Sequence, residues 1–566
     1  MILQKQPIFS LEIHESQDFS ISGALHYSDL LFGPLIAFLH AAIVGLSEIE
    51  GNIGGIEIIL DFLKQIPGST IAKSLWFTIR QSFASTALAI SLGLPGAWLA
   101  ARFRFPGRKT LLSLAAIPFC FPPILIILAF ICYYGKEGLL PTALSLVFGS
   151  RGEYRGILYS FWGLVIVHAF YNFPIVVHQI SALLLRIPNT SFEAARTLGA
   201  RKSKAFRTGI LPWILPGIGQ SAGLIFLYCF FSFTTVLVFG GRAGTTLEVE
   251  IYQALRYRSN LALAAVLSII ESACALLGIW MLTRMQSKTR GTVRDFGAAH
   301  KLAKPKGKQW FLIVLYEILI IVFFIGPLFS IVIEAFTVPA SLNSPERFGV
   351  DNFKRLFTGF QAPLTGAILS TLKLSGIAAL LATSIGILAS FSAFLAQRIG
   401  KKSMLIDLMM DLLQWLPMAV SPAVLAYGWL FISANHIATY ALIAAQALIA
   451  WPFVSRTVGA SLRAIDFRIH EAAKTLGASP LRAFMTIELR TILPSVAAAA
   501  AFAFSITAGD VNVPLMLGMS EIETLPLLLY RLTAAYRFNE ACAAGLVLGL
   551  MTGIVFMLKE KAVDVA

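Results

Sequence analysis

Long, continuous apolar runs separated by short polar stretches recur from one end of this 566-residue chain to the other. The runs do not alternate with period two, which argues against a β-barrel, and most reach the roughly 18–20 residues that a helix needs to cross hydrocarbon. We read twelve spans, at 29–46, 75–101, 110–133, 158–180, 213–239, 261–283, 311–336, 367–396, 406–432, 437–455, 493–516 and 540–558. The first is the weakest, because glycine, Pro34 and His40 dilute it. Backbone polar groups in lipid must be satisfied within the segment, so the pattern predicts an all-α polytopic membrane protein with about twelve transmembrane helices. Breakers punctuate two runs: Pro118, Pro122 and Pro123 in the third, Pro417 and Pro422 in the ninth. These predict kinks, either around a translocation path or for packing. Gly219/Gly223 and Gly545/Gly549 are small-xxx-small pairs that allow helices to approach closely.

Against this pattern, one polar segment appears twice. Glu193-Ala194-Ala195-Arg196-Thr197-Leu198-Gly199-Ala200 returns as Glu471-Ala472-Ala473-Lys474-Thr475-Leu476-Gly477-Ala478, a spacing of 471 − 193 = 278 residues, with Arg196/Lys474 the one difference. Pro174/Pro452, Ile187/Ile465 and the helix-breaking pair Pro216/Pro494 keep the same spacing. Farther upstream, Ser74-Leu75 resembles Ser370-Thr371-Leu372 at a spacing near 296, so the loop at 134–157 has no equal in the second half. The basic, apolar-poor stretch around Lys304-Pro305-Lys306-Gly307-Lys308 divides the copies. The expected organisation is an N-terminal extension at 1–65, whose weak helix begins near 29, a first membrane domain at 66–284, a cytoplasmic linker at 285–309 and a second membrane domain at 310–566. Six spans per half return the chain to its starting side, so the two domains run parallel. Such tandem repeats place a pathway at a repeat interface in many transporters.

Composition sharpens the class. Charged residues make up 13%, about half the soluble average of roughly 25%. The net charge of +15 could suggest a nucleic-acid partner, but its placement argues for topology. With the N-terminus inside, cytoplasmic segments after residue 29 carry 29 of the 45 Lys and Arg residues, and external loops carry 13. That is the positive-inside asymmetry, and it puts both copies of the repeated segment in the cytoplasm. Residues 1–28 lack the layout of a cleaved signal peptide. The five cysteines lie in apolar stretches without a CxxC pair and read as small buried hydrophobes, and no metal site is expected.

The repeated segment reads physically as a docking element. Ser191 is an N-cap type of residue and Glu193 an acid in the first turn, where the helix dipole favours it. Gly199 and Gly477, six residues after each Glu, suit a helix C-terminus. Basic Arg201, Lys202, Lys204 and Arg207 follow, then a second helix leads toward the membrane.

Glu-Ala-Ala, three residues, Gly, and a downstream Ile-x-Leu-Pro resemble the signature of the permease subunits of bacterial binding-protein-dependent ABC importers. The likeness covers nearly the whole chain in a fused, two-permease form. It departs at Gly209, which takes the usual Ile position of the first copy, and at Arg490, which takes the usual Pro position of the second. The resemblance implies a type I importer-like fold of two pseudo-symmetric permease domains in the bacterial inner membrane. It also implies that each segment is a coupling helix seated on one of two copies of a cytoplasmic ATPase, with an extracytoplasmic solute-binding protein as third partner. Glu193 and Glu471 would pair with a basic group of the ATPase. Ala194, Ala195, Ala472 and Ala473 would allow close approach, and Gly199 and Gly477 would supply the bend. The sequence contains no Gly-x-x-x-x-Gly-Lys-[Ser/Thr] phosphate loop, so ATP would be hydrolysed by the partner, with no cofactor bound here and no catalytic residue.

For the cargo, Asp510 is the candidate intramembrane acid, with Ser232 at the matching position and Thr234 and Thr235 beside it. Either a pathway role or a gating and packing role is open to them. Asp407 and Asp411 are expected near the inner surface, while Lys373 and His168 should snorkel or hydrogen-bond. The stretch Phe239–Leu255, with Phe105-Pro106-Gly107-Arg108 and Tyr134–Gly138, looks most like the thiamine-importer permeases. Iron(III) permeases are near relatives, and polyamines remain a further option. A secondary transporter working without ATP is the rival class, and it leaves the doubled cytoplasmic segment unexplained.

Overall fold

A computed structural model describes residues 33–34, 36–37, 68–113, 121–148, 158–187, 189–293, 302–340, 345–358, 363–399, 420–432, 438–465, 467–518 and 522–564. Nearly all of the N-terminal extension, with most of the 29–46 span, and Pro118, Cys120, Asp407, Asp411 and Pro417 lie outside these residues. Among the described residues ten helices are long and apolar enough to cross a membrane, with Pro422–Ile432 and Leu525–Ala534 as shorter apolar helices. The only sheet among them is a two-residue antiparallel pair, β1 (Thr337–Val338) with β2 (Arg347–Phe348).

One compact unit gathers Asp61–Thr365 with Pro526–Gly549. Its elements are α1 (Gly68–Arg102), α2 (Pro123–Tyr134), α3 (Leu139–Phe148), α4 (Phe161–Arg186), α5 (Asn189–Thr197), α6 (Lys202–Gly209), α7 (Leu211–Phe230), α8 (Thr234–Phe239), α9 (Leu247–Arg256), α10 (Leu261–Val293), α11 (Lys308–Ile320) and α12 (Gly326–Phe336). The other unit is built around Gly366–Leu525, with α13 (Pro363–Ile399), α14 (Pro422–Ile432), α15 (Ala438–Ala464), α16 (Phe467–Thr475), α17 (Leu489–Ala508) and α18 (Asn512–Leu517). The chain ends in α19 (Leu525–Ala534) and α20 (Phe538–Asp564). These units partition the chain differently from the linear repeat. The α11–α12 stretch follows the linker in sequence, yet it packs on the first repeat: the Tyr316 hydroxyl donates to the Leu92 carbonyl and Ser330 Oγ to that of Ala129. Its opposite side leaves Phe311, Leu315, Ile318, Phe323 and Phe329 exposed, an apolar stripe suited to lipid.

The repeat is written into the element boundaries. The bounds of α5 and α16, α7 and α17, α8 and α18, and α9 and α19 each differ by 278 residues (467 − 189 = 278). Upstream, the helix contacts correct the expected spacing of 296. Gly93 packs on Val176 in one unit and Gly386 on Val454 in the other, and 386 − 93 is 293. A Cβ at either glycine would come within 2.6 Å of its valine, so the helices can touch only because these positions lack a side chain. Gly93→Val and Gly386→Val should each cost about 1–3 kcal/mol by overpacking. Gly376→Val, on α13 with open space around it, should cost far less. Thermal unfolding of the detergent-solubilised protein would rank the three.

Proline placement also differs from expectation. The third span is not one helix: Phe121 and Pro122 are non-helical, and α2 starts at Pro123 with Pro122 as its N-cap residue. Proline's missing N–H and fixed φ suit a helix start, so these residues begin a helix where a kink was expected. Pro422 begins α14 in the same way. Pro216 and Pro494, read as breakers, instead lie inside α7 and α17. The breaks come later, at Phe231–Phe233 and Gly509–Val511, where polar Ser232 and Asp510 interrupt the apolar runs.

Candidate functional site

Two elements recur in each repeat and carry its polar chemistry: the cytoplasmic helix pair and the helix break. At the first, α4 ends at Arg186 and the chain turns at once into α5. The turn is anchored by buried Ile187, Ile210 and Ile214, against which Leu183, Phe192, Phe206 and Trp213 pack. Burial of this cluster ties α5 to the inner ends of α4 and α7. The helix begins at Asn189, two residues before Ser191, so the expected N-cap role of Ser191 does not hold.

At its other end the chain leaves α5 through a Schellman-type turn. The Ala200 N–H donates to the Ala195 carbonyl at 3.0 Å, and Leu198 N–H to that of Ala194 at 3.1 Å. In α16 the same bonds run from Ala478 to Ala473 and from Leu476 to Ala472. Gly199 and Gly477 both take φ +82°, with nothing within 4 Å of a Cβ built on either. Backbone conformation, and not crowding, is therefore what demands glycine at both bends. Arg196 Nη1 adds a bond to the Ala200 carbonyl at 2.9 Å.

The turn decides which residues face outward. Glu193, Ala194 and Ala472 are exposed, Ala195 is half-buried and Ala473 is buried in its own unit. Glu471 takes the backbone position matching Glu193. The surface a partner can meet is thus narrower than the four alanines expected. Leu198 and Leu476, to which sequence reasoning gave no role, are 88% and 87% exposed. Two large apolar side chains held at the same bend, on the face that charge places in the cytoplasm, have the character of anchors for a partner.

At the helix breaks, each repeat joins the helix that precedes its cytoplasmic segment to the break after it. His168 Nε2 on α4 lies 2.7 Å from Ser232 Oγ. At the same spacing, Gln446 on α15 donates from Nε2 to Asp510 Oδ2 at 3.1 Å. The Asp510 carboxylate also accepts the N–H groups of Asn512 at 3.0 Å and Val513 at 3.4 Å, which caps the start of α18. His168 is buried and hydrogen-bonded, as one of its two expected alternatives had it, while Lys373 is exposed. Thr234 and Thr235 are buried beside Ser232. A second matched pair steadies each break: Thr78 Oγ1 accepts from Leu247 N–H at the start of α9, and Thr371 Oγ1 accepts from Leu525 N–H at the start of α19.

Among the described residues the fold also brings two carboxylates together. Glu248 on α9 and Glu271 on α10 are both fully buried, and each is the other's electrostatic neighbour. At the 278-residue spacing Glu248 corresponds to Pro526, and Glu271 falls opposite the apolar Leu548–Gly549, so the pair belongs to one repeat only. The available signal was Glu271 itself, a lone acid in the apolar run of α10.

A membrane protein of two tandem repeats, each presenting a helix, a glycine bend and a second helix on its cytoplasmic face, is laid out as a double permease. The family model for the binding-protein-dependent transport system inner membrane component matches residues 93–291 and again residues 382–559. The chain belongs to this family and is a multi-pass protein of the inner membrane, with two permease domains fused in one polypeptide. It is 28% identical over 498 residues to the thiamine transport system permease protein ThiP of Escherichia coli (strain K12), covering 86% of this chain and 89% of that one. It is 27% identical over 494 residues to the protein of the same name from Brucella abortus (strain 2308), covering 86% and 87%. It is also 27% identical over 506 residues to the Fe(3+)-transport system permease protein FbpB 2 of Haemophilus influenzae, covering 87% and 90%.

Proposed function

We propose that this chain is the membrane-spanning subunit of an importer for thiamine or its phosphates, driven by two copies of a separate ATPase seated on α5 and α16. The doubled bend carries this reading, with Leu198 and Leu476 exposed at matched positions. The absence of a phosphate loop from the sequence assigns ATP hydrolysis to the partner. In each unit the cytoplasmic helix continues directly from the helix that carries His168 or Gln446. Movement of the ATPase reaches the first helix break through the packed turn that ties α5 to the inner ends of α4 and α7. An extracytoplasmic binding protein delivers the solute to the outer face.

The choice of cargo draws on two supports. The thiamine permeases of Escherichia coli and Brucella abortus align over most of the chain. The chemistry is compatible as well: the thiazolium ring is a permanent cation, and acids stand near the breaks, Asp510 in one unit and the Glu248–Glu271 pair in the other. Iron(III) satisfies the same charge argument and has its own relative here, so it is the second reading.

The two are separated by reconstituting the chain in liposomes with its ATPase and adding binding protein loaded with either solute. Thiamine-loaded binding protein should raise ATP hydrolysis several-fold above the unloaded form, and iron-loaded protein should not. The reverse order would replace thiamine with iron(III).

A further inference from the structure

Two of the cysteines read as isolated hydrophobes meet in the folded chain. Cys132, in the last turn of α2, and Cys542, in the first turns of α20, place their sulfurs 3.6 Å apart although 410 residues separate them. They are 7% and 0% exposed, and both are free thiols. The helices that carry them are closely fitted. Gly545 lies against Leu125, Gly549 against Phe121 and Leu125, and Ala541, Ala543 and Ala544 are fully buried. The outer end of α20 is tied down further, since Asn539 Nδ2 donates to the Glu334 carbonyl at 3.1 Å and to Glu334 Oε2 at 2.8 Å. By the charge asymmetry, both cysteines lie toward the extracytoplasmic ends of their helices, where oxidants arrive first.

We propose that Cys132 and Cys542 are a peroxide-responsive pair that closes into a disulfide, linking the first permease domain to the last helix of the second. Burial bars a protein disulfide carrier, so the oxidant must be small and able to enter the membrane, which hydrogen peroxide can. Cys132 is the more accessible thiol and reacts first. Its sulfur, losing its proton, attacks one peroxide oxygen and cleaves the O–O bond, giving Cys132 sulfenic acid and one water. Cys542 sulfur then attacks Cys132 sulfur; the S–O bond breaks and hydroxide leaves with the Cys542 proton as a second water. In sum, two thiols and one peroxide give one disulfide and two waters. The sulfurs need to close from 3.6 Å to about 2.05 Å, a shift small enough for side-chain rotation and slight helix adjustment. Among the described residues no other pair of cysteine sulfurs meets in this way, and Cys229 Sγ accepts from Asn172 Nδ2.

The test counts thiols in the full-length chain. Membranes are treated with hydrogen peroxide, quenched, denatured in detergent and reacted with a maleimide polymer that adds a visible mass per free cysteine. The wild type should fall from five tags to three and return to five after dithiothreitol. Cys132→Ser should show four tags before and after peroxide, whereas Cys542→Ser should fall from four to three, because its Cys132 stops at the sulfenic acid, and return to four after dithiothreitol. Peptide mapping of the oxidised wild type should find the Cys132 and Cys542 peptides joined. Retention of five tags by the wild type, loss that dithiothreitol does not reverse, or a two-tag loss in Cys132→Ser would each overturn the assignment.

Discussion

A chain carrying Leu198→Asp together with Leu476→Asp will insert and fold but will not co-purify with its ATPase. Both leucines are almost fully exposed at bends that face the cytoplasm, so their removal costs the membrane domain nothing in packing. At an interface, the loss of a buried apolar anchor costs about 2 kcal/mol or more, and an aspartate there adds the penalty of a desolvated charge. Two such sites acting together should weaken the assembly by roughly a thousandfold, as about 4 kcal/mol converts to that factor. Each single variant should retain one seat and a measurable fraction of uptake. Glu193→Lys with Glu471→Lys should act in the same direction through charge. Wild-type co-purification by the double leucine variant would show that the bends are not the seat of the motor.

The second large effect lies at the helix break of the second repeat. Asp510→Ala removes three acceptor contacts at once, leaving Gln446 Nε2 and the N–H groups of Asn512 and Val513 without this partner. Gln446 Nε2 keeps the Thr507 carbonyl at 3.3 Å, so the main loss is the cap on the start of α18, about 1–3 kcal/mol, and uptake should fall about tenfold. Asp510→Asn is different. It keeps one oxygen to cap α18, and its amide can donate to Gln446 Oε1, which has no hydrogen-bond partner in the wild type, once the glutamine amide rotates. If Asp510 serves to hold the break, Asn should keep uptake within about threefold of wild type, because it keeps the cap. If its charge instead contacts a cationic solute, Asn and Ala should be equally damaging. Uptake kinetics of the two variants side by side decide between these roles.

Much of this arrangement could be read from residue order alone because repetition is visible without coordinates. The 278-residue spacing of the cytoplasmic segments returned in the bounds of α5 and α16 and in the equivalence of His168 with Gln446. Where the reading failed, the missing information was three-dimensional. The upstream spacing of 296 came from a local Ser-Leu likeness, whereas the contacts of Gly93 and Gly386 set it at 293. Pro122 and Pro123 were read as a kink within one span, and only backbone geometry shows that a helix starts there. Which face of a short helix points outward depends on what anchors it, so the exposure of Leu198 and the burial of Ala473 had no signature in the motif. Glu248 is 23 residues from Glu271 in sequence, and only the packing of α9 on α10 makes them neighbours.

The central claim is that this permease does no work alone and is driven through its two cytoplasmic bends. Proteoliposomes containing the chain, with and without its ATPase, and with ATP on the side of the bends, test it directly by solute uptake in the presence of binding protein. Uptake should require both the ATPase and hydrolysable ATP and should be indifferent to an imposed proton gradient. Uptake by the chain alone, driven by that gradient and unaffected by ATP, would contradict the account.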